Sequence, residues 1–580
     1  MKLSIPPYVK KVMDVLLDQG FEAYVVGGAV RDMLLGRVPD DYDVVTNARP
    51  EEIKEAAAAA KIPVVSELGQ NFGVVILRVD RHGVEVAAYR NETYGKEDVH
   101  RPAQVWYCDT LEEDLGRRDF TINALAVDQY GHITDCFNGL DDLRGGILRT
   151  VGNADQRFSE DALRMFRACR FVAQLGFVPD AGILPAIGHN LEKVRGLSLE
   201  RVRTELNKLL MGTYAGEGME LMVKSGLAAE SCRVRNKGKY ETVPILPELG
   251  HLVGLPQNPQ FHPYDVWKHT AVALDKGDRS LEVGWGILLH DVAKGLEGVR
   301  GINREGQPCD HGHEVVGASL ARKILARLRL PRETVDRVAW LVQNHMHFGF
   351  ISAQEDDKTW RWLRKEARSG HFRVNKEMAE AFKQLTAVCV ADVAATNAGQ
   401  NDVIHAQMYG KRLVKMAYLM PVHTSDLDFS GRDALALGAS PRQLRDLMPV
   451  LLHRGCIRQC FHYNSILFYC GLLCHIKLLY LLILVRHIQM RTKYLPSQLL
   501  LQLYAQSERH ISYRVYALSI HLFPLLSGGN PMLSSVRWQC TYPFSTECRI
   551  LFFHNWVPAD LHAYLFQYHD LRILLPHHRN

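Results

Sequence analysis

The chain has 580 residues, 47% apolar and 23% charged, too long for one hydrophobic core, so about three to five globular domains are expected. Twelve cysteines at scattered spacings, none in a CxxC pair, argue against a disulfide framework or a cysteine zinc site and for a reducing cytoplasm. The net charge of +5 excludes little: residues 455–580 hold 11 Lys/Arg against 4 Asp/Glu, and the remainder holds 58 against 60, so any nucleic-acid binding must come from local patches.

Residues 1–20 read as a short amphipathic helix, with Val12, Leu16 and Leu17 apolar, and not as a secretory signal. "FEAYVVGG" reads as a buried strand ending in glycines, and "AVRDMLLG" as a helix closed by Gly36. "YDVVT", "FGVVILRV" and "GVEVAAYR" read as further strands and "PEEIKEAAAAA" as a helix, which makes a mixed α/β sheet. On a strand Asp41 and Asp43 project to one side, with Tyr42 opposite. Two carboxylates that close repel unless a cation sits between them, and magnesium takes such ligands together with substrate phosphates. The glycine turn lets backbone amides approach a phosphate chain, and Arg31 adds a charged fork. Glu85 on a later strand is a candidate third acid. On these residues alone, a plain turn and polar strand edge is an equal reading.

"YRNETYGKEDVHRPAQVWYCD", residues 89–109, reads as a polar, flexible loop. "LGRRDFTINALAVD" sets Arg117, Arg118 and Asp119 before an apolar stretch. "FSEDALRMFRACRFVAQLGF" reads as one helix with Ser159 as N-cap and Glu160 and Asp161 in its first turn. On it Asp161, Arg164, Arg167 and Arg170 form one polar stripe beside Leu163, Phe166 and Cys169. Three arginines on one side are costly unless an anion lies there.

Residues 245–424 carry a second constellation on apolar-periodic helices: His269, His290–Asp291, His311 and His313, His345 and His347, and Asp392. Imidazole and carboxylate together suit a divalent metal, and the fold here should be all-α. Beyond residue 454 the composition changes abruptly. Residues 455–580 hold 6 of the 12 cysteines and 10 of the 26 histidines. "ILFYCGLLCHIKLLYLLILV" is long enough to suggest a membrane span, but His475 and Lys477 near its middle are costly in lipid. We read this segment as anomalous, a frameshifted or misread end rather than native sequence, ahead of a membrane-associated or unusual globular tail, and expect no membrane partner unless it is genuine.

"GGAVRD", "DYD", "RRDFTINALA", "EDALRMFRACRF" and "ERVRTEL" occur in order, and together they resemble the motif series of class II CCA-adding tRNA nucleotidyltransferases and their poly(A) polymerase relatives. The order H…HD…H…H…D resembles the HD superfamily of metal-dependent phosphohydrolases. The resemblance implies a polymerase-β-like α/β head at 1–150, an all-α neck and body at 151–244, an all-α HD domain at 245–424, and the start of a helical tail at 425–454. It implies that Asp41 and Asp43 bind catalytic Mg2+, that Gly28 and Arg31 hold the triphosphate, and that Arg118 and Asp119 contact the nucleotide. Asp161 and Arg164 would read the base, with Arg167 and Arg170 completing the pocket. His269, His290, Asp291 and Asp392 would be core ligands of a second divalent metal, with His313 and His345 holding another metal or the phosphate. The implied activity is template-independent addition of C, C and A to tRNA from CTP and ATP. The presence of the 89–109 loop favours full CCA addition. Alternatives are a poly(A) polymerase, a CC- or A-adding enzyme, an HD phosphohydrolase with a regulatory head, or a non-catalytic RNA-binding module.

Overall fold

The computed structural model describes residues 2–68, 73–94, 102–347 and 356–423, with Asp426 and Arg432, and two short strands, Ser535–Trp538 and Cys548–Leu551. Residues 1–464 form one compact unit and residues 465–580 another. Within the second, the two strands pair antiparallel, Ser535 opposite Leu551. The candidate membrane stretch at 466–485 and nearly all of the 425–454 tail lie outside the described residues. Among those described, no helix is long and apolar enough to cross a membrane.

The head is built on strands β1 (Tyr24–Val26), β2 (Asp43–Thr46), β3 (Val64–Leu68), β4 (Val74–Val79), β5 (His82–Ala88), β6 (Arg90–Tyr94), β7 (Pro102–Tyr107), β8 (Leu125–Val127) and β9 (Ile133–Asp135). Seven of them form one sheet in the order β3-β4-β5-β2-β1-β8-β9. β2 and β5 run parallel, and the other neighbours antiparallel. The period of two sorts the strand residues. Val25, Val44 and Val86 share one core with Val9, Val12, Met13 and Leu16 of α1 (Pro7–Asp18) and Ile53 of α3 (Pro50–Ala59). Val26 and Val45 face the opposite core with Tyr89, Leu115 and Ala126. Between β1 and β2 lies α2 (Gly28–Leu34), and Gly36 just past its end takes a left-handed φ of 70°.

Two expectations for the head are corrected. Asp41 precedes β2 and is exposed, so only Asp43 belongs to the strand. Residues 89–109 are not simply a loop: β6 and β7 pair antiparallel, Arg90 opposite Tyr107 and Asn91 opposite Trp106. Polar composition hid this, because a strand pair without apolar alternation in its sequence gives no periodic signal.

After α4 (Leu111–Gly116) and α5 (Gly139–Gly145) the chain becomes helical. The single helix expected over 158–177 is two helices, α6 (Ala154–Glu160) and α7 (Leu163–Leu175). Ser159 is not an N-cap. Asn153 caps α6, accepting from the Gln156 amide at 3.0 Å. The chain then turns extended at Asp161, whose carboxylate accepts the Leu163 amide at 2.9 Å and starts the second helix. α8 (Ile183–His189), α9 (Leu199–Leu210) and α10 (Ala215–Lys224) complete the body. Gly216 lets α10 approach α11 (Val266–Lys276): a Cβ there would collide with the Ala271 carbonyl. One continuous apolar core runs from Phe120 and Phe166 into the next helices. These are α12 (Leu281–Leu289), α13 (His313–Arg327), α14 (Arg332–Asn344), α15 (Asp356–Ala367), α16 (Asn375–Ala394) and α17 (Gln400–Leu419). The body and HD regions are not purely α. Ser231–Asn236 pairs with Lys239–Pro244, and Arg300–Ile302 with Pro308–Asp310.

Candidate functional site

The head site forms where β1 ends and β2 begins. Gly27 has φ 75°, and a Cβ on it would lie 3.0 Å from the Arg118 guanidinium, so glycine is needed both for the backbone turn and for that close approach. Parallel pairing sets Glu85 directly beside Asp43, on the same face. Burial, then Asp41 and Glu85, push Asp43 up to about 6, against the pull of Arg118. A carboxylate raised by two acidic neighbours marks a place short of positive charge, and a hard divalent cation with oxygen ligands fits the three.

Arg118 is held from behind. Asp114, fully buried, accepts from Arg117 at 2.8 Å and from Arg118 at 3.2 Å. It also takes the Arg90 amide of β6 at 3.4 Å. These arginines outweigh burial and hold its carboxyl below the usual range. Asp114 therefore ties the root of the β6–β7 arm to the guanidinium beside Gly27.

A second set of arginines surrounds the Phe171 ring. Arg31, Arg167 and Arg170 lie 5.2, 5.3 and 4.3 Å from its centroid. Arg31 forks onto Asp32 at 2.9 Å and donates to Asn123 at 2.7 Å. Asn123 in turn donates to Asp119 at 3.1 Å, and Arg167 reaches the other Asp119 oxygen at 2.6 Å. Burial raises Asp119, but Arg167, Asn123 and Arg164 bring it down to about 2. Arg170 pairs with Glu205 of α9 at 2.9 Å. Arg164 meets Glu160 at 2.7 Å and the Arg117 carbonyl at 2.8 Å. Asp161 meets Arg201 of α9 at 3.3 Å. The stripe does not require an external anion to exist, because Glu160, Asp119 and Glu205 serve each arginine. Positive charge still accumulates, since burial, Arg167 and Arg31 lower Arg170 to about 10 despite Glu205. Asn123, Arg201 and Glu205 lie in quoted motifs but were given no role from sequence, and Asp114 was not singled out; the contacts of these residues reach up to 92 residues along the chain.

The second constellation converges as expected. His269 lies on α11, His290 and Asp291 follow α12, His313 opens α13, His345 follows α14 and Asp392 lies in the last turn of α16. They form two sets, His269–His290–Asp392 and Asp291–His313–His345, each with donor atoms within 4.8 Å. Asp291 also touches the first set, 3.1 Å from His290 Nε2 and 3.9 Å from His269 Nε2. The expected four residues, His269, His290, Asp291 and Asp392, are thus brought together, with Asp291 also bridging to His313 and His345. His311 is exposed, and His347 stacks on Trp362 at 4.8 Å; both stand outside the cluster. Lys294, one turn after Asp291 and 2.7 Å from its carboxylate, was not anticipated.

The imidazoles are preset. Nδ1 of His269, His290, His313 and His345 faces the backbone carbonyl of Ala395, Ile287, Asp310 and Val342, at 3.3, 2.7, 2.8 and 2.6 Å. A carbonyl only accepts, so each neutral ring donates from Nδ1 and turns the Nε2 lone pair inward. His313 and His345 bring their Nε2 atoms 3.2 Å apart, an opposition relieved by a shared proton or a cation. Nε2 of His269 and of His290 is buried without a hydrogen-bond partner of good geometry. Burial lowers His290 but Asp291 and Asp392 lift it to about 9, whereas burial and His290 drop His345 to about 3. Inward nitrogens and carboxylates in two sets fit one or two divalent cations of nitrogen-oxygen preference.

Three family models match in order. Residues 23–149 match the poly(A) polymerase head domain, residues 176–231 the probable RNA- and SrmB-binding site of polymerase A, and residues 261–395 the HD domain. A CCA-adding enzyme of Lactobacillus helveticus is 41% identical over 238 residues, 41% of this chain and 58% of that protein. One of Geobacillus stearothermophilus is 42% identical over 226 residues, 39% of this chain and 54% of that protein. The matched part thus spans little more than half the length of these curated relatives. The crystal structure of the Bacillus stearothermophilus CCA-adding enzyme in complex with CTP superposes with a TM-score of 0.52 at 26% identity, covering 78% of this chain and 94% of that one. The chain thus carries a poly(A) polymerase head domain, a segment like the RNA-binding site of polymerase A and an HD domain, and over its matched part it is similar to CCA-adding enzymes.

Proposed function

We propose that this protein adds C, C and A to the 3′ ends of tRNA from CTP and ATP in the cytoplasm, releasing pyrophosphate. The observation that carries the reading is the carboxylate trio Asp41, Asp43 and Glu85 set against Gly27 and Arg118. Bound Mg2+ would be held by Asp41 and Asp43, where it supplies activation of the RNA 3′-hydroxyl and charge neutralisation on the phosphates. Gly28 and the amides beside it, with Arg31 and Arg118, hold the triphosphate and orient its α-phosphate toward that hydroxyl. Asp119 stays ionised and fixes Arg167, which with Arg170 lines the nucleotide pocket.

Asp161 and Arg164 read the base. A carboxylate oxygen accepts from the exocyclic amine of cytosine or adenine, and the guanidinium donates to the adjacent ring nitrogen. Guanine and uracil present the opposite order, and unpaired groups against a wrong base cost about 1–3 kcal/mol each. No nucleic-acid template is needed. The test incubates the protein with magnesium, tRNA lacking its 3′ CCA, and labelled CTP and ATP. Growth by three residues that then stops, requiring both nucleotides, is expected. Long A-runs from ATP alone would establish poly(A) polymerase instead.

A second reading concerns the HD domain alone. The inward Nε2 atoms favour a metal-dependent phosphohydrolase there, with His269, His290, Asp291, His313, His345 and Asp392 as ligands. Metal-dependent phosphodiesterase turnover in wild type, lost in the His290→Ala/Asp291→Ala double variant, is expected; no turnover in either would leave that domain a scaffold.

A further inference from the structure

The hairpin Ser231–Asn236/Lys239–Pro244 begins where the matched RNA-binding segment ends. Its two faces differ. Cys232 and Val234 point into the body core, so the residues between them point outward. Arg233 and Arg235 lie on that outward face, opposite Thr242 and Tyr240. The Arg233 guanidinium stacks 5.0 Å over the Tyr240 ring, and Tyr240 is 64% exposed. Lys237 and Lys239 extend the charge around the tip, and both are exposed. From the neighbouring helix end, Arg329 donates to the Arg235 carbonyl at 3.1 Å and adds a further cation.

The tip itself is telling. Lys237 has φ 47° and Gly238 φ 86°, a two-residue turn with both positions left-handed. Such turns favour Asn, Asp or Gly at the first position, because a Cβ is strained there. Here the strained position holds a lysine, placed at the most projecting point of a basic face. A strained side chain at a tip is a sign of function rather than of stability.

We propose that this outward face is a docking surface for the sugar–phosphate backbone of the RNA substrate, with Arg235, Lys237 and Lys239 contacting phosphates and Tyr240 bracing Arg233. Charge complementarity and direct continuity with the RNA-binding segment select RNA over an acidic protein surface. The inference rests on the tRNA reading of the head.

The test measures tRNA affinity of the full chain against salt concentration for wild type and for Arg235→Gln, Lys237→Asn and Lys239→Gln, singly and combined. Each lost phosphate contact should flatten the slope of log affinity against log salt by about 1, and the triple variant should bind about tenfold or more weakly at moderate salt. Lys237→Asn places a favoured residue in the turn, so its melting temperature should hold or rise while tRNA binding falls. Unchanged slope and affinity in a triple variant whose wild type binds and extends tRNA would overturn the docking surface alone. A wild type that binds no tRNA would overturn both the docking surface and the functional reading. An equal loss of binding to an acidic peptide, with no loss for tRNA, would assign the face to a protein partner.

Discussion

The head site and the histidine cluster both bring acidic side chains together, yet they are built in opposite ways. Asp41 is exposed and Asp43 half-buried, one at a strand end and the other just before it, with few bonds holding either carboxylate. His269, His290, Asp291, His313 and His345 are all under 5% exposed, and each imidazole is locked by a backbone carbonyl. The exposed Asp41 leaves the head carboxylates open to solvent. The cluster is finished before any ligand arrives. An open site tolerates substitution structurally and fails chemically, whereas a buried one fails structurally as well.

Substitutions should expose that contrast. Asp41→Ala or Asp43→Ala should lower nucleotide addition by about three orders of magnitude or more, the loss of several kcal/mol of charge stabilisation, while leaving the melting curve nearly unchanged. Single-turnover rates and thermal melts on the same preparations would check it. Asp291→Ala should do the reverse, costing about 3 kcal/mol of stability because buried imidazoles and Lys294 lose their counter-charge, with head chemistry intact at low temperature.

Asp114→Asn sharpens the comparison within the head. Asparagine offers one acceptor oxygen and no charge, so Arg117 or Arg118 loses its acceptor and both lose the ion pair, and KM for CTP and ATP should rise about tenfold with kcat little changed. In an Arg118→Lys background the same change should have a much smaller effect, since the two act through one contact.

The smallest effect concerns pH. Asp43 is raised to about 6 by burial, Asp41 and Glu85. Its proton is retained below that pH and competes with the cation, so at limiting magnesium the rate should fall as pH drops through about 6. Glu85→Gln removes one of the raising charges and should move that fall to lower pH. An unmoved profile would separate Glu85 from the site.

The five motifs of the head and body and the ordered His/Asp residues were legible because chemistry fixes residue type and order. The sheet was legible because Val25/Val44 and Val26/Val45 alternate between two cores. What stayed hidden was set by partners distant in sequence. The break at Asp161 comes from its extended backbone, which ends α6 while its carboxylate accepts the Leu163 amide at the start of the next helix, a pattern that reads from sequence as a continuous helical stripe. The arginine stripe looked unpaired because Asp119 and Glu205 come from other elements. The β6–β7 arm looked like a loop because its sequence is polar and lacks a clear alternation. The grouping of Asp392 with His269 and His290 followed from the motif order, but the double contact of Asp291 with both sets and its ion pair with Lys294 did not, since those depend on how the helices pack.

The central claim is that nucleotide transfer belongs to the head carboxylates and is separable from the histidine cluster. Wild type, Asp43→Ala and Asp291→Ala should be assayed side by side for extension of tRNA lacking CCA and for divalent metal retained after dialysis. The account predicts no extension but retained metal in Asp43→Ala, and CCA extension with lost metal in Asp291→Ala. Extension that survives Asp43→Ala, or that vanishes in a folded Asp291→Ala protein, would contradict it.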